Sequence, residues 1–123
     1  MILTGAQKLE IVLGGAVTTS QLPWVANYYA DRAGGGVARK VGHGTTNSAT
    51  SVDVVAAPNS GDVTVIEYLS VRNSDTVNAI VTLRLDDGGT ERIIASFDLA
   101  TLERLEYVRG AGFACFTTAG ARK

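Results

Sequence analysis

From Val63 to Asp98 the chain reads as three strand-like runs joined by two short turns, Asn73-Ser74-Asp75 and Asp87-Gly88-Gly89. The middle run is the most regular. Between Thr76 and Asp86, Val77, Ala79, Val81, Leu83 and Leu85 share one face, and Thr76, Asn78, Thr82, Arg84 and Asp86 share the other. Ile80 alone breaks the alternation, so a half-buried antiparallel strand is expected. In the third run Ile93, Ala95, Phe97 and Leu99 fall on one face. The first run changes phase: Val63 and Val65 are followed by Ile66 and Tyr68, then by Leu69 and Val71. Either a bulge lies near Glu67 or both faces are covered. Together the runs predict a β-meander, which builds surfaces and brings no catalytic group with it.

The flanking segments read less sharply. Leu9 to Leu13 is a short β-prone run closed by Gly14-Gly15, so residues 1–15 are expected to be an N-terminal arm or a first strand. Gln21 to Ala30 is a second strand, with Pro23 at an edge or a beginning because proline cannot donate to a ladder. Residues 31–50 combine Gly34-Gly35-Gly36 with little that builds a core, and a long flexible loop is expected there. Ser51 to Ala56 alternates, and Pro58 to Gly61 supplies a turn. Leu99, Leu102 and Leu105 have helical spacing, but Gly110 and Gly112 follow at once. A turn over Ala100 to Leu102 and then a strand is favoured over a helix. Gly112 to Thr118 is a last strand, followed by a tail. Eight or so short strands predict an all-β, single-domain antiparallel β-sandwich or barrel, with residues 16–123 as the domain.

Composition agrees. With 46% hydrophobic residues the chain has enough apolar surface for a core, and 14 glycines fit a fold with many turns. The net charge of −1 gives no electrostatic case for nucleic acid or an anionic membrane. It also predicts weak salt dependence for any attachment to a partner. No basic leader precedes an apolar core, and no apolar run reaches the ~20 residues of a membrane span, so a chain made soluble inside the cell is expected.

Candidate chemistry is sparse. Cys115 lies in the apolar run Gly112 to Phe116 and reads as a core thiol. Asp86 to Glu91 is acidic, but it lacks the ligand spacing of a calcium loop and fits a hairpin turn better. His43 is the single histidine and reads as a solvated loop residue, since zinc needs three or four protein ligands. The glycines before Arg39-Lys40 lack the ending of a phosphate loop. No metal, cofactor or enzymatic activity is expected, and a cupin-like metal enzyme would need more histidines. Trp24, Tyr28 and Tyr29 are expected to anchor either the core or a subunit contact.

The order of these pieces resembles a group of small virion proteins of tailed bacteriophages. Lys8 to Pro23, Thr46-Asn47, Ser51 to Pro58, Leu69 to Val77, Leu83 to Ile93 and Leu105 to Phe113 carry the resemblance, over nearly the whole chain. Where the group is expected to have Pro-Gly in the 99–103 turn, this chain has Thr101-Leu102. The resemblance implies a structural protein of the particle, and most specifically a capsid decoration (cement) protein with a jelly-roll-like sandwich. Such a protein is made in the host bacterial cytoplasm and sits on the outer capsid surface. Its partners would be the major capsid protein and itself, as a homo-oligomer (trimer or dimer). Leu9, Ile11, Leu13, Trp24, Tyr28 and Tyr29 are the expected contact residues, with strand addition by an arm from 1–15 or 31–50 as the device. A tail, neck or fibre component that joins tail parts or binds a receptor is the alternative role.

Overall fold

The computed structural model describes all residues from Met1 to Lys123. It is all-β, and its strands form two antiparallel sheets. The strands are β1 (Ile2–Thr4), β2 (Gln7–Leu13), β3 (Pro23–Asp31), β4 (Val37–Thr45), β5 (Val52–Val55), β6 (Val63–Arg72), β7 (Ala79–Asp87), β8 (Thr90–Leu99), β9 (Arg104–Val108) and β10 (Gly112–Phe116). The larger sheet runs β10-β9-β6-β3-β4, with β1 also paired to β6, and the smaller runs β5-β2-β7-β8. This is the expected β-sandwich.

Period-two patterning fills the space between the sheets. Leu9, Ile11 and Leu13 from β2 and Val81 and Leu83 from β7 meet Leu69 and Val71 from β6 and Leu105 from β9, all in one buried cluster. Burying each such side chain fully contributes about 1.5–3 kcal/mol. Ile80, the exception in the β7 pattern, is half-exposed on the outer face.

Three bulges adjust the strands. Asn27 pairs with Tyr68 and Tyr28 with Ile66, so Glu67 is the extra residue in β6. The bulge expected near Glu67 is there. A second puts Val54 outside the β2–β5 register. The third skips Ile94, since Leu83 pairs with Ala95 and Arg84 with Ile93. It moves Ile93 off the face it was expected to share with Ala95, Phe97 and Leu99, and Ile93 is largely exposed.

One open reading is settled and two other expectations are corrected. Of the two readings of residues 1–15, the structure has strand rather than extended arm: β1 pairs with β6, and β2 lies between β5 and β7. The flexible 31–50 loop is a hairpin, with β4 paired to β3 over nine consecutive residues from Asp31↔Val37 to Pro23↔Thr45. Its turn is short, and the left-handed φ angles of Gly35 and Gly36 let it close. The meander is also split. β7 and β8 form the expected hairpin at Asp87-Gly88-Gly89, but β6 and β7 belong to different sheets. Asn73 to Asn78 is therefore a crossover.

The crossovers are stapled by buried polar groups. Asn73 is fully buried; its Nδ2 donates to the carbonyls of Val77 and Leu99, and its Oδ1 accepts from the Asp75 N–H. Asp75, also buried, accepts the N–H groups of Thr18, Thr19, Ser20 and Thr76 and the Thr19 hydroxyl. These bonds, the Thr18 N–H foremost, hold its carboxyl well below the usual carboxylate range. Gln21 accepts from Thr46 Oγ1 and the Ser48 N–H, tying the β2–β3 connection to the β4–β5 one.

The turn at Ala100 to Leu102 and the strand after it are as expected. Leu102 has φ +67°, in the left-handed region that a glycine would occupy without strain. Its side chain is partly exposed and outside the buried cluster. Replacing it, Leu102→Gly, is expected to stabilise the fold by roughly 0.5–1 kcal/mol, measured as an upward shift of the urea midpoint.

Candidate docking surface

The six residues expected at contacts divide sharply. Leu9, Ile11, Leu13 and Trp24 are buried within the molecule, so none of them is presented to a partner by the folded chain. The reason is placement: β2 is an interior strand of its sheet, and Trp24 points between the sheets. Tyr28 is half-buried and packs against the same core. Tyr29 alone reaches the outer face of the larger sheet, where its hydroxyl accepts a 3.0 Å hydrogen bond from Arg109 Nη1.

The two outer faces differ in chemistry. On the smaller sheet, Lys8 lies 2.8 Å from Glu10, 2.9 Å from Asp53 and 3.4 Å from Asp86. Arg84 pairs with Glu91 and approaches the buried Glu10 at 3.7 Å. Hydrogen bonds to Glu10 and then Asp53 push the Lys8 ammonium above its usual range. This face is an ion-pair lattice over β2 and β7, with the exposed Ile80 and Ile93 beside it on β7 and β8.

On the larger sheet the register places Val25 between His43 and Ser70, and sets Val41, Asn27, Tyr68 and Val108 in one row across β4, β3, β6 and β9. Val25, Val41 and Val108 are exposed, Val41 by 67%. Beside them an open cleft of about 300 Å³ is lined by Asn27, Tyr28, Arg39, Lys40, Val41 and Glu67. Arg39 crosses it to Glu67 at 3.1 Å.

β4 is the free edge beside this face, and its inward side explains why the sequence conceals it. Its core-facing residues include Gly42 and Gly44, over which the Trp24 ring lies. A Cβ on Gly44 would stand 2.8 Å from Trp24 Cζ2, and one on Gly42 would stand 3.3 Å from the Val54 carbonyl oxygen. Gly44→Ala is expected to cost about 1–3 kcal/mol by overpacking. A fall in the urea midpoint, with a shift in the emission of the single tryptophan, checks it. His43 is exposed on this strand rather than in a loop. Cys115 is half-buried in β10, and burial raises its thiol above the usual range.

No group of three or more His, Cys, Asp or Glu side chains is placed to hold a metal ion. No helix is long and apolar enough to cross a membrane. The fold and its faces define an antiparallel β-sandwich with an open strand edge. No protein-family model matches the chain, and no curated protein or solved structure matches it significantly.

Proposed function

We propose that this protein is a non-enzymatic structural component of a tailed-bacteriophage particle, acting as a decoration or cement protein on the outer capsid surface. The interface half of this reading is carried by one observation. An unbroken nine-residue strand, β4, is left unpaired along one edge; it carries the exposed Val41 and lies beside the exposed Val25 of β3. An open edge beside apolar surface is a template for another chain. The particle half rests on the sequence resemblance, which runs from Lys8 to Phe113. The partners in this reading are the major capsid protein and further copies of the chain.

The mechanism is linkage. A protein that binds the assembled shell and not its dissociated subunits stabilises the shell by its binding free energy. Many copies on one shell add their contributions, and bivalent attachment raises the effective affinity further. The protein need change no bond to do this. Particles stripped of the protein are expected to rupture at a lower temperature than complete ones, with purified protein restoring the difference. Identical rupture temperatures with and without saturating protein would count against the cement role.

A further inference from the structure

We propose that β4 is a strand-addition site for an extended acidic segment of another polypeptide. In antiparallel pairing, an aliphatic side chain of that segment would lie opposite Val41, and two carboxylates following it would lie opposite Lys40 and Arg39. The inference rests on the interface reading above but not on which particle supplies the partner.

The other edges of the sandwich are guarded. The end of β10 is covered by the chain's own tail, through the Phe116↔Arg122 bridge and a 2.8 Å bond from the Lys123 N–H to the Cys115 carbonyl, which leaves only Gly112 to Ala114 along its edge. β5 has four residues and a bulge at Val54. β8 is longer, but its bulge at Ile94 breaks the ladder in mid-strand. β1 has three residues. Short strands, bulges and covering segments are the devices by which sheets avoid edge pairing. β4 has none of these three, its pairing to β3 running without a register shift; what it carries on its edge is charge, Arg39 and Lys40, which repels a basic strand and leaves an acidic one free to pair.

Charge selects the occupant. From Arg32 to Val52 the chain holds Arg32, Arg39 and Lys40 and no carboxylate. Arg39 has Glu67 at 3.1 Å, with its side chain 77% exposed, and Lys40 forms no ion pair. The net charge of −1 conceals this separation, because the carboxylates Glu10, Asp53, Asp86 and Glu91 gather on the opposite sheet. A second copy's β4 is a poor occupant. Antiparallel pairing centred on Val41 sets each Arg39 opposite the other copy's His43, and centring on Lys40 sets the two lysines face to face. Neither ladder offers a carboxylate to Arg39 or Lys40, and the second sets like charges opposite one another, which destabilises a sheet. The chain's own aliphatic-acid-acid run, Leu85-Asp86-Asp87, is already paired on both sides, to β2 and β8. The partner is therefore a different chain.

The test uses the isolated protein and two end-blocked nine-residue peptides of β-prone sequence. One has a central valine followed by two glutamates; in the other, glutamines replace the glutamates. Each is titrated to low-millimolar concentration while backbone amide exchange is followed residue by residue. The acidic peptide is expected to slow exchange along β4, and the glutamine peptide to bind about threefold to tenfold more weakly. Added salt should narrow that gap. The double variant Arg39→Glu with Lys40→Glu, both at exposed positions, should keep the fold and lose the preference for the acidic peptide. Protection at β8 instead of β4, equal binding of both peptides, or no binding at all would overturn the proposal. Because no particle is involved, these failures leave the particle assignment to its own test.

Discussion

Asn73→Ala is expected to unfold roughly 10–20 °C below the unaltered protein, a loss of about 3–5 kcal/mol. The side chain is fully buried; two of its hydrogen bonds close the β6–β7 crossover on itself, and the third joins it to the end of β8. Truncation leaves the Leu99 carbonyl and the Asp75 N–H without partners where both bonds are buried, and frees the Val77 carbonyl at the partly exposed end of the crossover. Each orphaned group costs about 1–3 kcal/mol. The main chain of Asn73 also bonds to Glu103 and Leu102, so the 100–103 turn shares the same anchor. Asn73→Asp separates chemistry from size. It keeps the acceptor for Asp75 but turns an oxygen toward two carbonyls, and it should be no better tolerated than alanine. Thermal unfolding of both variants checks this. A Tm within a few degrees of the unaltered protein for either one would show that the crossover does not depend on this side chain.

The second large effect is an acid limb in stability that depends on Asp75. Its folded pKa is depressed by the N–H groups of the β2–β3 connection, the Thr18 N–H first, from an ordinary value of 3.8. The sign follows from linkage. The stabilisation is fully present above the unfolded pKa, and it drains away as pH falls below about 4 toward the depressed folded value. Glu103 behaves in the same sense, its carboxyl held below 4.5 by Lys123 and the Ala100 N–H. The Asp75 share is therefore read as a difference between proteins. Asp75→Asn should lower Tm at neutral pH by roughly 10 °C or more, because an amide nitrogen cannot accept the Thr18 N–H. Below pH 4 the two Tm curves should converge, leaving only the Glu103 component in the variant. Parallel curves down to pH 2 would show that Asp75 carries no acid limb.

Legibility in the sequence followed the source of each strand's apolar mass. β7 supplies its own, Val81 and Leu83 inward with Thr82 and Arg84 outward, and its pattern survives in the fold. The phase change at Glu67 marked a real bulge because core residues on either side of it had to return to the same interior. β4 was lost for the opposite reason. Two of its inward positions are glycines, and the Trp24 ring from β3 fills the space they leave. What remained legible was the outward alternation of Val37, Arg39, Val41 and His43 after a glycine turn, which signals a hairpin once the glycines are understood as a seat. β2 was left open between arm and first strand because a short apolar run looks the same at the centre of a sheet as on an arm; only its pairing to both β5 and β7 decides. Asn73 and Asp75 resembled turn residues because their composition fits a turn equally well. Their burial is a property of the crossover that the strands impose.

The central claim is that this chain works by covering other molecules of a virus particle. Its most direct test is the number of copies per purified particle, measured by mass spectrometry against the major shell subunit. The decoration role predicts hundreds of copies, in fixed ratio to that subunit. A handful of copies would move the protein to the tail or neck. Its complete absence from particles, with the protein abundant in infected-cell extract, would contradict the claim.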